Sequence, residues 1–263
     1  MSPNCTSSIP TRTTGSPWPK AALVVSLFAA PLAAQQTAAV ASTPAFDPGR
    51  DVAFAGAFIV GAALASPLDR PVARLARSEA LQSSRVVHGT ATVLSTIGEP
   101  NTVLALSAAT YLGGQLGHDS HAASIGLHGV EAIVIGDVIT GLVKRLAGRA
   151  RPAVSPDDNY DFQFAGGFGD DDRSSLPSGH ATASVAMAAV LSVESSRWWH
   201  HAGWVAPTAY TTAGMIGVSR IYLDRHWLSD VLAGSGIGLA SGLLVSHFSE
   251  SHPRNGIDRA FLP

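Results

Sequence analysis

The chain has 263 residues, of which 46% are hydrophobic and only 14% charged, and its formal net charge is −2. That balance excludes the basic footprint of a nucleic-acid binder, and the single cysteine, Cys5, excludes an intrachain disulfide.

In chain order, Arg12 and Lys20 lead into an apolar run over 21–34, followed by small residues with cleavage expected after Ala34 or Ala41. This is the layout of a secretory signal peptide, and the run is short of the ~20 apolar residues of a bilayer span. Residues 1–41 therefore read as a signal peptide and the start of a linker, and 42–50 as the rest of that linker. A helical domain is expected over 51–250 and a tail over 251–263. Six apolar stretches fill the domain, at 52–66, 102–116, 123–143, 180–193, 204–218 and 227–248. None alternates apolar with polar residues, which favours helices over half-buried strands. The expected fold is all-α, a single bundle of about six core helices. Pro67, Pro100, Pro152 and Pro177 stand at the edges of the runs, where proline belongs. Gly234, Gly238 and Gly242 recur every four residues and would let a neighbouring helix approach closely.

Three clusters carry chemistry. In the first, Lys144 and Arg151 are seven apart, so on a continuing helix they share a face while Arg145 and Arg149 point elsewhere. In the second, Pro177-Ser178-Gly179-His180 opens an apolar helix. Ser178 suits the N-cap, and the free N–H groups of a helix start favour an anion. In the third, Arg220 precedes His226 and Asp230, which at i and i+4 would meet on one helix face. A carboxylate on one ring nitrogen leaves the other lone pair free to attack. Each cluster alone has a bland explanation: a basic helix end, a capped helix start, a surface ion pair. The long polar loop 153–176 carries Asp157, Asp158, Asp161, Asp170, Asp171 and Asp172 and reads as a solvated loop or one that tempers the cations. His118, Asp119 and His121 read as a solvated loop and not a metal site, and His88 and His128 as helix-surface or core residues. His200 and His201 read as an inter-helix turn.

Together the clusters resemble the type-2 phosphatidic acid phosphatase superfamily, which also holds class A acid phosphatases and vanadium haloperoxidases. Lys144, Arg151 and Pro152 match its first motif, Pro177 to His180 its second, and Ser219, Arg220, His226 and Asp230 its third. Asp224 departs from it, because many relatives carry Gly there. The resemblance implies an active site at one end of the bundle. There His226 attacks phosphorus to form a phosphohistidine, Asp230 orients its ring and His180 protonates the leaving group. Lys144, Arg151, Arg220 and the backbone around Ser178 and Gly179 hold the phosphoryl oxygens. No metal or other cofactor is expected, and vanadate should inhibit. The expected substrates are lipid phosphates, lipid pyrophosphates or soluble phosphate esters. The alternatives are a vanadate-dependent haloperoxidase on the same cradle and a non-catalytic helical membrane protein. A cleaved signal with six spans would turn the site to the cytoplasm, whereas family sites face outward. A periplasmic or secreted protein with membrane contact is therefore expected, the alternative being an integral protein with a periplasm-facing site. Oligomeric state is not legible.

Overall fold

A computed structural model describes residues 48–199, 202–253 and 255–262. The expected signal peptide, most of the linker, Cys5, His200 and His201 lie outside them. The described residues are helical and contain no strand, only an isolated bridge between Arg149 and Phe162.

Each of the six apolar stretches is a helix: α1 (Pro48–Ala65), α5 (Pro100–Gly117), α6 (Ser120–Ala147), α7 (Gly179–Trp198), α8 (Val205–Tyr222) and α9 (Leu228–Ser251). Between α1 and α5, outside the six apolar stretches, lie α2 (Asp69–Ala76), α3 (Glu79–Gln82) and α4 (Arg85–Ile97). Helix α4 buries only Ala91 fully and mixes polar with apolar residues, so it offers no continuous apolar run. The expected tail over 251–263 forms a further helix, α10 (Gly256–Phe261). Its Asp258 is buried against Ser249 of α9 and His128 of α6. His128 itself lies in the core with Nδ1 2.9 Å from Glu194, whereas His88 is exposed on α4.

Helices α7 and α9 form the centre, with α6, α8 and α1 packed around them. The spaced glycines of α9 set this geometry. A Cβ on Gly234, Gly238 or Gly242 would stand 2.3, 2.2 or 2.6 Å from the carbonyl oxygens of Ser178, Thr182 and Ala186. The two backbones touch at these points, and Ser178 N donates to Asp230 O at 2.9 Å across the contact. The starts of α7 and α9 are thereby held together at one end of the bundle. Val103, Ala132, Ile133, Ala183, Ala186, Val190 and Val245 form the core beyond them.

The outside of the bundle is also apolar. Val134, Ile135, Val138, Ile139, Leu142 and Leu146 form an exposed stripe along α6. Helices α6 and α9 are long and apolar enough to cross a membrane, although more than half of each apolar window is buried in the bundle.

Gly238→Val should cost about 1–3 kcal/mol or more, since neither backbone can move aside. Gly141→Ala, in open space on α6, should instead stabilise by about 0.5–1 kcal/mol. Unfolding of the purified variants in denaturant compares the two directly.

Candidate active site

Helix α6 does not continue through the first motif. It ends at Ala147, where Gly148 turns the chain with φ 55°. Lys144 thus lies in the last turn, while Arg151 follows in non-helical chain. The expected shared helix face is corrected: the turn, not the helical repeat, brings Arg151 back to the bundle end.

Arg149 does not point away, as the helical reading required; it is buried, with its side chain 2% exposed. Its guanidinium reaches Asp69 Oδ2 of α2 at 2.7 Å and Asp230 Oδ1 of α9 at 2.5 Å. It also donates to Ser229 Oγ at 2.8 Å and to Asn159 O at 2.6 Å. The face of Trp227 lies 5.6 Å from its Cζ. Asp69 spends its other lone pairs on Ser229 N and Ser229 Oγ, at 2.8 and 2.6 Å. One cation between two fully buried carboxylates is tolerable only because further donors satisfy both.

This hub controls His226. Helix α9 begins at Leu228, so His226 precedes it and the expected pairing with Asp230 on one helix face is corrected. The ring Nδ1 is 3.9 Å from Asp230 Oδ2, too far for a hydrogen bond. It lies 2.7 Å from the carbonyl of Ser175 instead. A carbonyl only accepts, so Nδ1 carries the proton and Nε2 keeps its lone pair. Ser175 Oγ in turn donates to Asp230 Oδ2 at 2.6 Å, and Trp227 N donates to the same oxygen at 2.9 Å. Asp230 therefore orients the ring through Ser175.

The cations surround this imidazole. Burial, and then the fields of Lys144, Arg220 and Arg151, hold the His226 pKa well below the usual 6.5. Lys144 Nζ donates to Ser174 O at 2.6 Å, and Arg220 Nη1 to Ser95 Oγ of α4. The backbone of Ser95 also meets the His180 ring. Arg151 is held by Asp171 and by Ser174 Oγ. Ser178 caps α7, accepting from Ala181 N at 3.5 Å, but its own N–H is committed to Asp230 O. The donors left for an anion are the N–H groups of Gly179 and His180, which have no acceptor within the first helical turn.

A sequence match places residues 126–254 of this chain in the PAP2 superfamily. Its three motifs, far apart in sequence, meet at one end of the PAP2 bundle. The chain is 39% identical over 70 residues to a lipid A 1-phosphatase of Porphyromonas gingivalis, covering 27% of this chain and 15% of that protein. It is 31% identical over 168 residues to a PA-phosphatase related-family protein of Dictyostelium discoideum, covering 56% and 59%. A lipid A 1-phosphatase of Rhizobium johnstonii is 30% identical over 122 residues, covering 46% and 47%. The matches thus span less than two thirds of each of these relatives. A solved transmembrane PAP2 type phosphatidylglycerolphosphate phosphatase from Bacillus subtilis shares the fold. Its TM-score is 0.59 at 22% identity, over 78% of this chain and 98% of that one.

The position where many PAP2 relatives carry glycine has a physical explanation. Asp224 stands at φ 57°, a conformation that glycine adopts freely and that Asp tolerates better than most residues. Arg77 clamps it, with Nε 2.9 and 2.8 Å from its two carboxylate oxygens and Nη2 2.8 Å from Pro152 O. Sequence reasoning missed Arg77, Asp69, Ser95, Arg149 and Ser175 as supports of the site. The only available signal was the two extra arginines beside Lys144 and Arg151. His118, Asp119 and His121 have ordinary structural places: His118 closes α5 and Asp119 caps α6.

Arg149→Met should destabilise the fold by about 3–5 kcal/mol, because it strands two buried carboxylates; thermal unfolding measures it. An NMR titration of the His226 ring should find it neutral at pH 6.5, and an inflection at or above that pH would overturn the burial argument.

Proposed function

We propose that this chain is a phosphatase that hydrolyses lipid phosphate esters through a phosphohistidine on His226. The observation that carries the reading is the His226 ring, its Nδ1–H held by Ser175 O at 2.7 Å among Lys144, Arg151 and Arg220. A neutral imidazole with a fixed tautomer is a nucleophile, and the cations around it match the charge of a phosphoryl group. Phosphoryl transfer needs positioning and charge stabilisation above all.

In this reading the bound phosphate's negative charge offsets the cations so that His180 takes up a proton; Nε2 attacks phosphorus, the bond to the ester oxygen breaks, and His180 gives that oxygen its proton. Lys144, Arg151, Arg220 and the N–H groups of Gly179 and His180 hold the non-bridging oxygens. The ring becomes positive on phosphorylation, and the Asp230 carboxylate 3.9 Å away stabilises that charge. Water activated by His180 then attacks phosphorus, releasing phosphate and restoring neutral His226. None of these steps requires a metal.

A lipid substrate is favoured by the surface. The exposed stripe of α6 leads to the 153–176 loop, where Ala165 N donates to Leu146 O. Phe164 and Phe168 stand exposed there, beside the cradle. Exposed Trp198 and Trp199 end α7, whose 20 residues rise about 30 Å, the thickness of a bilayer's hydrocarbon core. Aromatic residues at both levels suit membrane interfaces. We therefore place the protein in a membrane, with the cradle at one interface. The names of the curated relatives, lipid A 1-phosphatase and PA-phosphatase related-family protein, point to the same substrate class.

Purified protein should release phosphate from at least one of phosphatidate, phosphatidylglycerol phosphate, prenyl pyrophosphate or lipid A phosphate, with inhibition by vanadate. His226→Ala should abolish turnover and His180→Ala should slow it ~100- to 10,000-fold. Full activity of His226→Ala would refute the mechanism, and release from membranes by carbonate without detergent would refute the insertion.

A further inference from the structure

The loop between α6 and α7 carries six aspartates, and one of them touches the cradle. Asp171 lies on a short 3-10 turn (Asp171–Arg173) at the mouth. Its Oδ1 is 2.9 Å from Arg151 Nη2, the guanidinium that the family motif assigns to a phosphoryl oxygen. The carboxylate is 79% exposed, whereas the Arg151 side chain is 10% exposed. The fields of Lys144 and Arg225 also stabilise its charge.

We propose that Asp171 is a built-in competitor for the phosphoryl group, a carboxylate that takes part of the cradle's positive charge until a phosphate ester enters. It sets how strongly the site prefers dianionic headgroups over monoanionic ones. The proposal rests on the cradle being a phosphate-ester site.

The opposite role, that Asp171 merely holds Arg151 in place, is filled by other groups. Arg151 Nε donates to the backbone carbonyl of Asp171 at 2.9 Å, and Nη2 to Ser174 Oγ at 3.0 Å. Arg151 N donates to the carbonyl of Asp172. These bonds survive loss of the carboxylate charge. Ser174 Oγ reaches the Asp171 carbonyl at 2.7 Å and also its Oδ1 at 3.0 Å, an oxygen that Asn keeps. What the carboxylate adds beyond these bonds is a negative charge on a cation that must bind a negative charge. An exposed ion pair of this kind is weak, so an entering phosphate can displace it.

The test compares wild type, Asp171→Asn, Asp171→Glu and Asp172→Asn. Asp172 is the neighbouring exposed carboxylate and meets Arg151 only through its backbone. Two quantities are read: KM for the best lipid phosphate, and the Kd of inorganic phosphate by calorimetry, which needs no turnover. Asp171→Asn should lower both about two- to five-fold, the range open to one exposed charge pair. Asp171→Glu should restore wild-type values, and Asp172→Asn should change them less. The ratio of the wild-type Kd to the Asp171→Asn Kd should be larger above pH ~6, where a phosphate monoester is a dianion, than below it. kcat should not rise, since the released phosphate meets the same cations. Unchanged or weaker phosphate binding by Asp171→Asn overturns the proposal and makes Asp171 a support of Arg151. An equal effect of Asp172→Asn also overturns it, in favour of a diffuse loop charge. Wild-type protein that binds phosphate but turns over no ester overturns the hydrolase reading alone, and the Kd comparison still decides Asp171. Failure of wild type to bind phosphate at all overturns both.

Discussion

The bridge from Arg149 to Asp69 and Asp230 is the constraint on which the site depends. Two carboxylates share one guanidinium away from water, and either would be costly unpaired. The arrangement survives because Ser229, Asn159, Ser175 and the backbone of Trp227 donate to what remains of it. It joins α2, the turn after α6, the segment before α7 and the first turn of α9. Through Ser175 it also decides which nitrogen of His226 carries the proton. A structural ion cluster and the tautomer of the proposed nucleophile are thus one system.

Close helix packing supplies the second constraint. The glycines of α9 leave no room between it and α7, so the starts of both helices lie at one end of the bundle. Helix starts offer unpaired N–H groups. The N–H of Ser178 is taken by Asp230 O, which ties the second motif to the third, and the next N–H groups remain for an anion. The chain arriving from α6 adds Lys144 and Arg151. Helix α4 adds Ser95, which holds Arg220 and meets His180. The cradle is built from parts that no single element contains.

Polarity is arranged unusually along the molecule. Buried charge is concentrated at the cradle end, around Arg149, and at the far end, around His128, Glu194 and Asp258. Most of the length between them is apolar inside, apart from half-buried Glu131 and Asp137 and the Thr140–Thr182 pair, and the α6 stripe is apolar outside as well. That pattern suits a bundle surrounded by acyl chains, with its polar work done at the two ends. On the proposed reading, the exposed aromatics of the 153–176 loop stand where a lipid phosphate would meet the cations.

The sequence by itself determined the helical class, the six long helices, the close approach along the α9 glycines and the identities of the motif residues. Those features are local: apolar runs without alternation, breakers at their edges, and fixed spacings within one segment. It read two spacings wrongly for a physical reason. Seven residues from Lys144 to Arg151 and four from His226 to Asp230 imply shared faces only on a continuous helix, and a left-handed turn at Gly148 and a helix start at Leu228 interrupt both. Tertiary structure alone decided that Arg149 turns inward, that Ser175 and not Asp230 holds His226, and that Asp171 lies on Arg151. Each of these joins groups that short-range periodicity does not relate, because burial and charge pairing, acting across loops, chose the partners.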